Sequence, residues 1–224
     1  MLDLALYCRW SADRRRTHRV LKWLVLSTTE RTLRRVFPDA YFDKCQVAAA
    51  CHHTLLARLG IRSRVEYGSA SWKALVRKPD GIAVFFQSGF WTPKPGFPWP
   101  HLWVRTEYGE LVDLVCAFHP EVIRTQHPGH TYLDRIPPIW ADGDTLRRLA
   151  TVTYEVRGDS ERILLGDEVA ELAVATALKT FDEAVADSRG EPAESAPDRY
   201  ALLDSEEALK RLQSTHAWIR HNLE

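Results

Sequence analysis

The chain has 224 residues, 45% apolar and 27% charged, the balance of a soluble globular protein with enough chain for one sizeable core. Thirty basic residues against thirty acidic ones leave a formal net charge of zero, so no bulk field points to nucleic acid or an anionic membrane. No apolar run approaches the roughly 20 residues that cross a bilayer; with no export signal read at the start, Cys8, Cys45, Cys51 and Cys116 are expected as reduced thiols in a cytoplasm.

In chain order, Arg14-Arg15-Arg16 with His18 and Arg19 reads as a solvated helix face rather than a phosphate site. Residues 17–36 form the first periodic helix, with Val20, Leu21, Leu24, Val25 and Leu33 at helical spacing. Phe37-Pro38-Asp39 ends it, because proline drives the residue before it out of the helical region. A second helix is predicted from about 44 to 59, stopping at Gly60, with Asp43 as N-cap and Gln46 reaching back as in a capping box. "RSRVEYG" (62–68) then alternates as a strand, and "GIAVFF" (81–86) reads as a buried one. Four prolines and four aromatics between 88 and 100 exclude regular structure and predict a loop packed by its own side chains. "HLWVRTEYGELVDLV" (101–115) is a hairpin, and residues 167–186 carry the apolar stripe of another helix. Residues 187–199 read as a linker, and 200–224 as a last helix capped by Asp204 and Glu207.

The window 42–65, "FDKCQVAAACHHTLLARLGIRSRV", gathers two cysteines and two adjacent histidines. A zinc site fails on spacing: there is no CxxC pair, and consecutive Cys51, His52 and His53 point in different directions around a helix. His119, His127 and His130 form a second loose set that nothing ties to the cysteines, so no metal or other cofactor is expected. Cys51 falls among Val47, Ala48, Leu55 and Leu59 and is expected in the core, with His52 and His53 an exposed and a half-buried pair. Cys45 differs, since a helix starting near 44 places it where first-turn N–H groups and the helix dipole favour an anion. The window is therefore a nucleophile helix or an ordinary core helix.

What separates the two lies downstream, because a cysteine nucleophile needs a base and the base an orienter. His101 opens one strand of the hairpin and Asp113 lies on the other. A two-residue loop at Tyr108-Gly109 would put them on opposite faces. A three-residue loop, Glu107-Tyr108-Gly109, suits Gly109 in the left-handed region and pairs Trp103 with Asp113 and His101 with Val115. That register makes His101 and Asp113 diagonal neighbours and gathers Leu102, Val104, Val112 and Leu114 on the other face, so it is the one predicted.

Taken together these residues resemble the transglutaminase-like superfamily of cysteine enzymes. There a cysteine opens a helix that leads through a Gly-Ile-type segment into a strand, followed by a His-x-Trp strand and an aspartate strand. Here Cys45 precedes Gly60-Ile61 by fifteen residues, Ser63-Arg64-Val65 and Gly68 follow, His101-Leu102-Trp103-Val104 stands for the histidine strand, and Leu111-Val112-Asp113-Leu114 for the aspartate strand. The likeness spans residues 40–116. It departs at Asp43, where the family often has glycine, and at Arg62, where proline is frequent; the nearest upstream tryptophan for an oxyanion contact is Trp23. It implies an α+β fold with a papain/transglutaminase-like core, a nucleophile helix on a mostly antiparallel sheet, extra helices at both ends, and a catalytic domain over 1–186. By this resemblance Cys45 is the nucleophile, His101 the general base and acid, and Asp113 the orienter.

The expected activity is cysteine-dependent acyl transfer, as a peptidase or amidase acting on a peptide or protein amide, with transfer from a small acyl donor to an amine as the alternative. Trp91, Phe97 and Trp99 of the aromatic loop, with Trp103, are the expected substrate wall; the competing reading is that the loop aromatics simply pack it on the core. A different class also fits: a non-catalytic scaffold whose terminal helix, with His216, Trp218 and His221, docks a partner. The sequence does not specify an oligomeric state.

Overall fold

A computed structural model of the chain describes residues 3–88, 101–132, 138–148, 152–159 and 168–187. Trp91, Phe97 and Trp99, the linker beyond residue 187 and the predicted terminal helix with its cap and His216, Trp218 and His221 lie outside them. The described elements are, in order, α1 (Leu4–Arg14), α2 (Arg19–Val36), a 3-10 turn (Tyr41–Asp43), α3 (Cys45–Arg58), β1 (Ser63–Lys78), β2 (Gly81–Ser88), β3 (His101–Thr106) and β4 (Leu111–Asp113). A second 3-10 turn (Val115–Phe118), α4 (His119–Gln126), β5 (Thr131–Tyr132), β6 (Ile139–Ala141), α5 (Gly143–Arg148), β7 (Val152–Asp159) and α6 (Glu168–Asp187) follow. The class is α+β, with every pairing among the described strands antiparallel. No described helix is long and apolar enough to cross a membrane.

Local chemistry explains the helix ends, with corrections to two expectations. The arginine run does not lie along a helix face: α1 stops at Arg14, and Arg15 turns the chain with φ 49°. His18 then caps α2, its Nδ1 accepting from the Val20 N–H at 3.2 Å. The start of α3 also differs. Asp43 ends the 3-10 turn and its carboxylate pairs with Lys44 Nζ at 2.7 Å, so the N-cap is Lys44, which makes no side-chain cap bond. A neighbouring ammonium competes successfully for the carboxylate that the capping box needed.

β1 is the spine of the sheet. Its first half lies between β3 and β7, and its second half carries β2 and β5. Ser71 and Trp72 pair with both β7 and β2, while Glu66 to Gly68 pair with both β7 and β3. Strands β2 and β3 therefore lie end to end along one edge of β1, with β7 along the other. Gly68 allows β7 to sit there: a Cβ on it would lie 1.9 Å from the Glu155 carbonyl oxygen.

The β3–β4 hairpin has the predicted three-residue loop. Val104 pairs with Val112 and Arg105 with Leu111, the Thr106 N–H reaches Glu110 O at 2.9 Å, and Gly109 has φ +80°. Strand β4 ends sooner than expected, at Asp113. The expected His101–Val115 pair does not form, because Asp113 Oδ1 takes the Val115 N–H at 2.9 Å and starts a 3-10 turn; on its other edge His101 pairs with Gly68 of β1.

The two faces of this sheet carry separate cores. Val65, Leu102, Val104 and Val112 join a helical layer that includes Leu24, Leu55, Leu56 and Phe181. Ala70, Trp72, Trp103, Leu111, Cys116, Ile139 and Val152 pack on the other face. Helix α2 is buried nearly all round, polar residues included: Glu30 binds Arg34 Nε at 2.8 Å, and Lys22 Nζ lies 3.0 Å from Glu110.

Candidate active site

The segment leading into α3 is pinned before it reaches the cysteine. Tyr41 packs edge-on to Phe118 at 5.0 Å, the Arg34 guanidinium lies 4.0 Å over the Tyr41 ring, and the Tyr41 hydroxyl donates to Glu121 Oε1 at 3.1 Å. Phe118 closes the 3-10 turn that follows Asp113, so the approach to Cys45 and the exit from Asp113 are held against each other. Cys45 is half-buried as the first residue of α3.

His101 is buried, with Nε2 2.7 Å from Asp113 Oδ2. Cys45 lies close enough to favour the charged imidazole, and with Nε2 committed to the carboxylate, Nδ1 is the nitrogen not engaged by Asp113. Burial alone would lower the imidazole's proton affinity. The Asp113 charge and hydrogen bond, followed by the influence of Cys45, outweigh it and push His101 up to about 10. For Asp113, burial acts upward, but the His101 charge and bond, the Tyr154 hydroxyl and the Cys116 N–H hold the carboxyl below its ordinary range. Oδ1 accepts the Val115 N–H at 2.9 Å and the Cys116 N–H at 3.4 Å, and Oδ2 also accepts from the Tyr154 hydroxyl at 2.8 Å. The structure thus binds His101 to Asp113 and places Cys45 near enough to act on the imidazole.

Trp103 stands inside the fold, 1% exposed, with its indole N–H donated to Glu66 Oε2 at 2.8 Å. Its ring lies 5.9 Å from that of His101 and 5.1 Å from Tyr154, so it backs the histidine from within the second core. Glu66 is itself fully buried and bound by Arg105 Nε at 2.8 Å and Arg64 Nη2 at 2.9 Å. The chain leaves β2 at Ser88, opposite Ser71, and re-enters β3 at His101, opposite Gly68.

The remaining thiols differ from Cys45. Cys51 is fully buried in the helical core, as expected, and burial pushes its thiol up to about 12. Cys116 is equally buried, donates to Asp113 O at 3.1 Å, and is raised by burial and then by the Asp113 charge. Half-buried Cys8 donates to Leu59 O at 3.3 Å.

His52 corrects an expectation. It is 1% exposed, not an open helix residue, and its Nε2 has no hydrogen-bond partner among the described residues. Burial lowers it to about 4, against a weaker upward pull from Asp113. His53 is the half-buried one, with Nδ1 3.0 Å from Ser63 Oγ. Among the described residues, no group of three or more His, Cys, Asp or Glu side chains could hold a metal ion.

Two neighbours of the pair were not singled out from sequence: Tyr154, and Trp72, whose ring meets His101 edge-on at 5.4 Å. Tyr154 and Trp72 sit on strands whose local pattern predicts burial at most. Comparison with the models of known protein families, with characterised proteins and with solved structures finds no match to this chain.

Proposed function

We propose that the chain is a cysteine-dependent acyl-transfer enzyme with a papain/transglutaminase-like core, working as a peptidase or amidase. One observation carries this reading: the buried His101 imidazole is held by Asp113 through Nε2 at 2.7 Å, and Cys45, at the start of α3, is among the groups that act on it. In the proposed cycle Cys45 Sγ attacks an amide carbonyl, and the tetrahedral oxyanion is met by the Cys45 backbone N–H in the uncapped first turn of α3. His101 Nδ1 gives its proton to the leaving amine as the C–N bond breaks, and the acyl group stays on sulfur as a thioester. Water then attacks, its proton passes to Nδ1, and the C–S bond breaks to free the acid and leave the sulfur as thiolate beside the protonated imidazole. Asp113 holds the imidazole in the orientation that keeps Nδ1 toward sulfur. An amine in place of that water would make the same site a transferase.

The test is iodoacetamide labelling of the native protein from pH 5 to 9, with the rate at each cysteine read by mass spectrometry. Cys45 is expected to react fast below pH 7 and to lose that advantage in His101→Ala. Half-buried Cys8 is the internal reference, since Cys51 and Cys116 are closed to reagent. If Cys45 reacts no faster than Cys8, the enzyme reading falls and the scaffold reading takes its place.

A further inference from the structure

We propose that Tyr154, from β7, is a positioning residue of this site: by donating to the Asp113 oxygen that also holds His101, it fixes the carboxylate's orientation and takes up part of its charge. The inference rests on the reading of Cys45, His101 and Asp113 given above. Asp113 Oδ2 carries two donors, His101 Nε2 at 2.7 Å and the Tyr154 hydroxyl at 2.8 Å, while two backbone N–H groups occupy Oδ1. A phenol beside a carboxylate must donate. Burial and then the Asp113 charge raise Tyr154 well above the ordinary tyrosine range, so the donor is retained across the working range of pH.

The fold is arranged to bring this hydroxyl in. Tyr154 pairs across the sheet with Ala70, whose small side chain leaves room above it, and its ring meets Trp103 at 5.1 Å and Trp72 at 6.4 Å. The absence of a Cβ at Gly68 allows the next residues of β7 to sit against β1, and the register shifts there, between Tyr67 and Gly68. Strand β7 is thus locked at the position that delivers its tyrosine to Asp113.

The consequence is a division of one oxygen between two donors. Charge drawn by Tyr154 is charge not available to the imidazolium, so Tyr154 keeps the His101 proton transferable in a site where Asp113 would otherwise hold it too firmly. The titratable groups facing the pair are Cys45 and His52 from α3, Cys116 from the turn after β4, and Glu66 from β1 behind Trp103.

The experiment is an NMR titration of the His101 imidazole in 15N-histidine-labelled protein, comparing wild type with Tyr154→Phe, with wild-type thermal unfolding as a separate readout. The expected result is an upward shift of the His101 midpoint by about half to one pH unit in Tyr154→Phe. A 3-fluorotyrosine placed at position 154, a more acidic phenol and stronger donor, should move it the other way and keeps the test open if the phenylalanine variant does not fold. An unchanged midpoint, or a downward one with phenylalanine, overturns the proposal even where stability changes. The iodoacetamide profile reports separately on the reading of the triad: ordinary Cys45 reactivity in wild type would sink that reading, while the His101 titration still decides the role of Tyr154.

Discussion

Two buried carboxylates flank the short strand β4, and their partners set them apart. Glu110, just before the strand, meets Lys22 Nζ at 3.0 Å and Thr17 Oγ1 at 2.5 Å, with the Thr17 N–H at 3.2 Å. Asp113, at its end, meets His101, Tyr154 and two backbone N–H groups. Both acids are almost completely removed from solvent. Burial of a carboxylate is therefore no mark of chemistry here. An ammonium only donates, so it neutralises an acid and stops there; an imidazole has a second nitrogen, free to act on a third group. Glu110 ties the loop before α2 to the hairpin, and Asp113 holds an imidazole whose second nitrogen it does not use.

The largest way to sharpen this contrast is Lys22→Ala. Leaving Glu110 buried without its ammonium is expected to cost about 3–5 kcal/mol of unfolding free energy in denaturant titrations. The Cys45 alkylation profile of the folded fraction should not move, and a change in it would join the two acids into one system. Asp113→Asn should do the reverse. On the proposed reading it is expected to slow Cys45 alkylation at pH 6 by roughly 100-fold, since the imidazole loses the charged acceptor that orients it. Its stability loss should be smaller than that of Lys22→Ala. Equal stability losses with unchanged alkylation would make both acids purely structural.

The pH dependence of stability separates two buried histidines in the same way. His101 is raised to about 10, so its ion pair contributes stability that is fully present below the ordinary histidine value of 6.5 and is lost as pH rises through 10. His52 is lowered to about 4 and folds neutral, so its contribution is present above 6.5 and is lost as pH falls through 4. Stability from these two groups peaks near pH 6.5. His101→Gln should flatten the alkaline side in urea titrations and His52→Gln the acid side; effects on the opposite limbs would contradict both assignments. The smallest effect is expected at Gly109→Ala, about 1–2 kcal/mol for an L-residue held at φ +80°, with the hairpin register preserved by strand NOEs.

The β3–β4 hairpin was legible in the sequence because two independent requirements had one solution. A glycine able to take positive φ and an alternation that gathers Leu102, Val104, Val112 and Leu114 on one face both demand the three-residue loop. That register placed His101 and Asp113 together. The start of α3 was misread because a capping rule sees only its own residues, and Lys44 took the Asp43 carboxylate. The burial of His52 was not legible, since "CQVAAACHHTLLAR" is small or apolar on most sides and no polar stripe marks the outer face. Tyr154 was least accessible. It reaches Asp113 from 41 residues downstream, through a β1–β7 pairing that nothing in the local pattern of either strand specifies.

Strand β1 also has a consequence for motion. Its sixteen residues span about 50 Å at the usual rise of a strand, and from Glu66 to Gly68 it is hydrogen-bonded on both edges. Strands paired on both sides open less readily than edge strands, so this stretch should exchange its hydrogens with deuterated solvent more slowly than the edge strand β2. His101 is anchored opposite Gly68, within that stretch. The imidazole is thus mounted on a strand that is itself paired to the middle of β1, and that pairing sets its alignment toward Asp113.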